Sequence, residues 1–126
     1  MFKSVIAGYS RSPFTMARKG ALIDIKPVNM LAEVVKNLVK KTNVNKHDIE
    51  DIVVGCAFQV GEQCFNIGKL VTFLTDMEIK TSGMTVDRWC GSSMEAIHTA
   101  AGKIARVLNE PSAKLARVMK SYAEKQ

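Results

Sequence analysis

The feature that most constrains the fold is an almost continuously apolar, β-branched run at residues 51–58, Asp-Ile-Val-Val-Gly-Cys-Ala-Phe. Such a strand is typical of a parallel sheet covered on both faces, and parallel neighbours are usually connected by helices. Two further strands are predicted, at residues 2–8 and 83–89. Residues 9–27 carry no steady period and are predicted to form a long loop. The sequence therefore predicts an α/β fold with three mainly parallel strands.

Helical periodicity fills the segments between and after these strands, with apolar side chains repeating every three or four positions. Three helices are predicted, at residues 28–41, 64–75 and 90–107. Lys40 and Lys41 close the first helix and suit the negative end of its dipole. The third is narrow and rich in alanine and glycine, so we expect it to lie deep between layers, with helices on both faces of the sheet. Pro111 interrupts the pattern before a last amphipathic helix predicted at residues 112–125.

Composition narrows the partners of this chain, whose 126 residues make one domain at most. Its 18 basic and 12 acidic residues give a net charge of +6, which favours anionic partners. The basic residues are spread out and not interleaved with the few aromatic ones, so we expect no nucleic-acid partner. No apolar run approaches the roughly 20 residues of a membrane span.

The cysteines and histidines indicate a reduced setting without a metal. Three cysteines are an odd number with no paired spacing, so we expect a cytoplasmic location. No cluster of cysteine and histidine has the spacing of metal ligands, so we expect no metal. Cys56 is expected to pack within a strand, and Cys64 to open the second helix.

The junction between the third strand and the third helix holds the main candidate for chemistry. Cys90 is predicted in the first helical turn, where the helix dipole favours a thiolate and unpaired backbone N–H groups could hold an oxyanion. Small residues follow it, which leaves room for a substrate. These features suit a cysteine nucleophile for acyl transfer. From spacing alone, an inert cysteine that packs like a small hydrophobe stays the alternative.

Residues 86–98, Val-Asp-Arg-Trp-Cys-Gly-Ser-Ser-Met-Glu-Ala-Ile-His, resemble the nucleophile segment of thiolases, especially the 3-ketoacyl-CoA thiolases of fatty-acid β-oxidation. Further segments are similar to the family in the same order along the chain, at residues 5–6, 11–13, 51–56 and 59–69. The resemblance covers about residues 4–107. It implies a partial thiolase N-terminal domain at residues 1–108, followed by a basic amphipathic tail at residues 109–126 that does not align.

The resemblance also implies a function, because thiolases are acyltransferases that work through an acyl-cysteine intermediate. A 3-ketoacyl-CoA would be cleaved to acetyl-CoA and a shortened acyl-CoA, with Cys90 as the nucleophile. Coenzyme A and acyl-CoA would be substrates, with no further cofactor and no assigned cofactor-binding residues.

Several departures from the family bear on whether this chain acts alone. The family's catalytic histidine lies in a Gly-His-Pro motif and its second cysteine in a Cys-x-Gly motif, and neither motif occurs in this sequence. Asp87 stands where the family has asparagine, and its carboxylate would oppose thiolate formation at Cys90. His98, eight residues along the same helix, would lie about 12 Å from Cys90, too far to act as its base. His47 is expected in a surface turn.

Three alternatives therefore stand. The chain is part of a thiolase that needs a complementary half or a homo-oligomer, or it is an inactive remnant or interaction module that binds a partner through exposed sheet edges and an apolar helix. The third alternative is a cationic binder of nucleic acid or a membrane surface through residues 103–125.

Overall fold

Residues 4–102 are described in the computed structural model. Five elements of regular structure follow in order: helix α1 at Pro27–Thr42, strand β1 at Asp51–Gly55, helix α2 at Ile67–Leu74, strand β2 at Ser82–Val86, and helix α3, which runs from 92 to the last described residue, 102. Single 3-10 turns precede β1, α2 and α3, at Lys46–Asp48, Gly61–Gln63 and Trp89–Gly91. The alternation of strand and helix confirms the α/β prediction.

The two strands form a parallel pair. Asp51 is opposite Ser82, and the register continues without a bulge to Gly55 opposite Val86. Helix α2 makes the connection between them, as a parallel pair requires.

The predicted strand at residues 2–8 is not present in its described part, residues 4–8, and the sheet there has two strands instead of three. Val5 and Ile6 are 82% and 84% exposed. An apolar run becomes a strand only beside a partner backbone, and neither described strand pairs with this segment. The segment instead passes the end of α1, where the Nζ of Lys41 lies 3.4 Å from the carbonyl oxygen of Tyr9.

Helices α1 and α2 cover one face of the sheet. The centre of this core is formed by Cys56, Ile67 and Val71, and Ile52 and Val54 of β1 pack against it. Side chains of α1 also reach it, namely Val28, Leu31 and Val35. Lys40 and Lys41 lie in the last turn of α1, as predicted, whereas Pro27, assigned to the preceding loop from the sequence, is the first residue of the helix.

Helix α3 starts against the opposite face of the sheet. Residues alternate between faces along a strand, so Gly55 points away from Ile52 and Val54. A Cβ on Gly55 would overlap the backbone of Ser92 and lie 2.5 Å from the nitrogen of Ser93. The sheet therefore lies between α1 and α2 on one side and the start of α3 on the other.

The prediction that α3 lies deep between layers is wrong within the described residues. Ser92 and Ala96 face inward and are buried, but Met94 and Ile97 are 63% and 61% exposed. The described part of the chain supplies one layer for α3 to pack on, which leaves its outer face open.

The predicted tail at residues 109–126, including the amphipathic helix at 112–125, lies outside the described residues. Between residues 4 and 102, no helix combines the length and hydropathy needed to span a membrane.

Candidate active site

Cys90 lies in the turn that connects β2 to α3. The strand ends at Val86, Asp87 and Arg88 follow, and the 3-10 turn Trp89–Gly91 leads into α3. Trp89 has a φ of 49°, in the left-handed region that a bulky side chain rarely adopts. The chain thus reverses sharply at the residue before the cysteine.

The Cys90 side chain is exposed to solvent on the outside of this turn. The sequence placed it in the first turn of α3, and the structure places it in the 3-10 turn just before α3. An exposed thiol beside small residues, Gly91 and Ser92, is accessible to a substrate, unlike the inert packed cysteine of the alternative interpretation. The position is compatible with a nucleophile.

Most backbone donors around Cys90 are already used, contrary to the expectation of a free set. The N–H of Arg88 donates to Ser92 Oγ at 2.8 Å, and that of Trp89 to Asp87 Oδ1 at 2.8 Å. The N–H of Gly91 donates to the carbonyl of Arg88 at 2.9 Å. The N–H of Ser92 donates to the carbonyl of Trp89. The N–H of Cys90 takes no part in these bonds, so it is a candidate donor to an oxyanion.

The carboxylate of Asp87 accepts a hydrogen bond from the nearby backbone. Its bond to the N–H of Trp89, two residues on, makes an Asx turn. Asparagine has the same acceptor oxygen, so either residue can form this turn. The sequence identified the charge of Asp87 but gave no sign of this hydrogen bond.

Ionic and aromatic contacts flank the turn. Arg88 pairs with Glu95, one helical turn into α3, with its Nη1 at 2.6 Å from Oε2. The ring of Trp89 meets the ring of Phe58 edge to face at a centroid distance of 5.6 Å. Phe58 follows β1, so this contact joins the ends of the two strands. Parallel strands end at the same edge of a sheet, and the candidate site is at that edge.

The other two cysteines are in different environments. Cys56 directly follows β1 and is buried, with its thiol 3.4 Å from the carbonyl oxygen of Phe58. This agrees with a packing role. Cys64 does not open a helix: it ends the 3-10 turn Gly61–Gln63 in extended backbone, and Asn66 caps α2. The motif from Gln63 to Lys69 thus contains a bend before its helix.

The two histidines lie in different parts of the chain. His98 is exposed on α3. His47 lies in the surface turn ahead of β1, as expected, with Nδ1 at 2.8 Å from a carboxylate oxygen of Glu78. Across residues 4–102, no group of three or more His, Cys, Asp or Glu side chains is arranged to hold a metal ion.

Comparison with known proteins agrees with this geometry. Residues 4–108 match the family described as thiolase, N-terminal domain. Over 101 residues the chain is 42% identical to a 3-ketoacyl-CoA thiolase of Marinomonas sp. (strain MWYL1), covering 79% of this chain and 26% of that protein. A 3-ketoacyl-CoA thiolase of Psychrobacter sp. (strain PRwf-1) is 39% identical over 100 residues, with the same coverage. The chain spans about a quarter of the length of these curated relatives.

Two solved structures have the same fold over this region. The Acat5 thiolase from Ascaris suum, in complex with coenzyme A, aligns with a TM-score of 0.64 at 24% identity, over 69% of this chain and 22% of that chain. The acetyl-CoA acetyltransferase of Bacillus anthracis aligns with a TM-score of 0.60 at 28% identity, over 65% and 21%. With the family match across most of its length, this chain belongs to the thiolase family, as an N-terminal fragment of that fold.

Proposed function

We propose that this chain carries the nucleophile of a thiolase-type acyl transfer, with Cys90 as the residue that accepts the acyl group. The observation that carries the proposal is the exposed Cys90 at the turn from β2 to α3, in a chain of the thiolase family. The substrate class follows from the relatives, which are named for 3-ketoacyl-CoA, and from the Ascaris suum neighbour, which is in complex with coenzyme A.

The proposed step is an exchange of thioesters. The Cys90 thiolate attacks the carbonyl carbon of the acyl-CoA, and the carbonyl oxygen becomes an oxyanion that the N–H of Cys90 can hold. Collapse of this intermediate breaks the bond to the sulfur of coenzyme A, which leaves as a thiolate and takes up a proton. The acyl group then remains on Cys90 as a thioester, ready for transfer to another coenzyme A. In the thiolytic direction, the Cys90 thiolate attacks the 3-keto carbonyl carbon of a 3-ketoacyl-CoA, the bond between C2 and C3 breaks, and C2 takes up a proton so that acetyl-CoA leaves. The thiol of a second coenzyme A then takes the shortened acyl group from Cys90, which releases the Cys90 sulfur.

We further propose that complete turnover needs a second polypeptide that carries the remaining thiolase motifs, which another copy of this chain would not supply. The family's Gly-His-Pro and Cys-x-Gly motifs are absent from the 126 residues. His47 pairs with Glu78, and helix spacing puts His98 about 12 Å from Cys90. The exposed Met94 and Ile97 on α3 support this, because apolar side chains on one helical face are typical of a surface that another layer covers. A cytoplasmic setting, where thiols stay reduced, is part of the same proposal.

The test is S-acylation of the pure chain by acetyl-CoA, located by mass spectrometry after digestion. We expect one hydroxylamine-sensitive acetyl group on Cys90, formed faster in the folded chain than in the same chain held in urea. Cys90→Ser should abolish it, while Cys64→Ser, which removes the half-buried thiol, should leave it unchanged. Equal labelling of Cys64 and Cys90, or equal rates in folded and denatured chain, would show simple chemical acetylation and refute the proposal.

The same exposed apolar face supports a second candidate function, an interaction module without catalysis. The two functions separate when a polypeptide with the remaining thiolase motifs is added. Thiolysis in the mixture supports the enzyme, whereas stable binding with no acylated Cys90 supports the module.

A further inference from the structure

The turn that carries Cys90 contains a backbone conformation that is unfavourable unless other contacts stabilise it. Trp89 has left-handed backbone, at a φ of 49°, which costs a non-glycine residue free energy and persists only where surrounding contacts enforce it. Cys90 is the next residue, so the orientation of its side chain depends on whether this conformation holds. The question is which side chains hold it.

Ser92 is the first of them. It is 4% exposed, and its Oγ accepts from the N–H of Arg88 at 2.8 Å and donates to the carbonyl oxygen of Trp89 at 2.6 Å. One buried hydroxyl therefore spans the turn and satisfies a donor on one side of it and an acceptor on the other. Its own backbone packs on Gly55 of β1, which fixes the hydroxyl relative to the sheet.

Asp87 is the second side chain that stabilises the Trp89 conformation. Its Oδ1 accepts from the N–H of Trp89 at 2.8 Å and lies 3.5 Å from Ser92 Oγ. The N–H of Trp89 is thus bound by the Asp87 side chain, and its carbonyl accepts from both the hydroxyl and the backbone N–H of Ser92. This arrangement would hold the left-handed residue in place even though the Trp89 and Cys90 side chains are exposed.

We propose that Ser92 and Asp87 are positioning residues for Cys90, forming a clasp on the Trp89 backbone that keeps the thiol at the outer side of the β2–α3 turn. The expected effect on acylation rests on the proposed function of Cys90. The clasp itself can be measured separately, through the backbone conformation at Trp89. Without the clasp the turn can relax toward ordinary backbone, and the sulfur then shifts relative to the N–H that would hold the oxyanion. Acyl transfer depends strongly on such placement, whereas alkylation by a small reagent depends mainly on exposure.

The experiment uses the full chain with paired variants. Ser92→Ala removes the buried hydroxyl, and Ser93→Ala is its control, because Ser93 is the exposed neighbouring serine. Asp87→Ala removes the acceptor for the Trp89 N–H, and Asp87→Asn keeps an acceptor oxygen while removing the charge. Trp89 is the only tryptophan in the chain, so the near-ultraviolet circular dichroism of its indole reports on this turn.

In Ser92→Ala and Asp87→Ala, we expect the Trp89 dichroism to weaken while the far-ultraviolet spectrum is retained. S-acylation of Cys90 by acetyl-CoA should fall about tenfold or more, with little change in its iodoacetamide rate. Ser93→Ala should match the unaltered chain in every measurement. Asp87→Asn should match it in the Trp89 dichroism, because the amide keeps the acceptor oxygen for the Trp89 N–H. A merely structural role would lower the unfolding temperature without separating acylation from alkylation in the folded chain.

Wild-type Trp89 dichroism in folded Ser92→Ala and Asp87→Ala would overturn the clasp, as would parallel loss in the two control variants. If Ser92→Ala does not fold, the Asp87 pair decides, since Asp87 is exposed. If the unaltered chain is not acylated at Cys90, the proposed function fails, and the Trp89 signal still decides whether the clasp exists.

Discussion

Gly55 lies where the end of β1 meets the backbone of α3. Gly55→Ala would place a Cβ against the backbone of Ser92 and Ser93, which cannot move as a flexible side chain could. Overpacking of this kind costs about 1–3 kcal/mol. We therefore expect the free energy of unfolding to fall by that amount in urea denaturation followed by far-ultraviolet circular dichroism.

Gly102 is the matched control for this substitution. It lies in α3, and among residues 4–102 no atom comes within 4 Å of a Cβ built on it. Gly102→Ala should be neutral or stabilise the chain by up to about 1 kcal/mol, since alanine is the better helix former. Equal losses in the two variants would contradict the close approach of β1 to α3.

The three thiols should react with iodoacetamide in the order of their exposure. Cys90 is exposed, Cys64 is half-buried and Cys56 is 7% exposed. Quantitative mass spectrometry of the native chain should show Cys90 modified first and Cys56 last, because a buried thiol reacts only when the core opens. In urea the three rates should converge. Early modification of native Cys56 would mean that the core between α2 and the sheet is not closed.

At the scale of the elements, the periodic spacing of apolar residues predicted the helices correctly and the first strand wrongly. The apolar spacing of α1 and its closing lysines matched the structure. The predicted strand at 2–8 failed because a strand depends on a partner backbone, which no local pattern reveals. The apolar spacing of α2 predicts four residues on one side, Ile67, Leu70, Val71 and Leu74, but Leu70 and Leu74 are 39% and 41% exposed. Gly68 and Thr72 are buried beside Ile67 and Val71 instead. The reason for Gly68 is a neighbour distant in sequence, the β2 backbone at Met84.

For the candidate site too, some features were predictable from the sequence and others were not. Cys90 at a strand-to-helix junction followed from element order, which is a property of the sequence pattern. The left-handed backbone of Trp89 and the buried hydroxyl of Ser92 did not, since neither residue type indicates such a conformation. Asp87 was interpreted from its charge, although its carboxylate is engaged by the Trp89 backbone.

Asn66 connects α2 to β2 and decides how firmly the two elements are held. Its Oδ1 caps α2 by accepting from the N–H of Lys69 at 3.1 Å, and its Nδ2 donates to the carbonyl of Gly83 at 2.7 Å. Its Oδ1 also accepts from Thr85 Oγ1 at 3.2 Å. Asn66→Ala removes all three bonds, so we expect a loss of about 2 kcal/mol or more in the free energy of unfolding.

Asn66→Asp separates the two contributions of this residue. Aspartate still caps the helix, but it sets an acceptor oxygen against the carbonyl of Gly83. We therefore expect it to lower the free energy of unfolding by at least the value of the lost bond, about 1 kcal/mol, in thermal unfolding. If Asn66→Ala were neutral, the link between α2 and β2 would not contribute to stability.

For the whole molecule, the decisive feature is the two-sided character of α3. Ser92 and Ala96 pack inward, while Met94 and Ile97 lie exposed on the outer face. The chain corresponds to about a quarter of its curated relatives, so a covering layer would come from outside residues 4–102. Exposed apolar side chains on a helix favour association or binding of apolar probes.

We therefore expect the chain alone to bind the dye ANS and to self-associate in sedimentation velocity. The double substitution of Met94→Lys and Ile97→Lys should reduce both, because it replaces the outer apolar side chains and leaves the inward face intact. Stability should change by no more than about 0.5 kcal/mol for each of these surface positions.

Ala100→Lys distinguishes the loss of apolar surface from the gain of charge. Ala100 is exposed on the same helix, so this variant adds a positive charge to a chain already at +6 without removing a large apolar side chain. If it reduces self-association as much as the double variant, charge repulsion accounts for the effect and the outer face of α3 is not the surface of association. If only the double variant acts, the surface that would receive the remaining layer of a thiolase is the one defined by Met94 and Ile97.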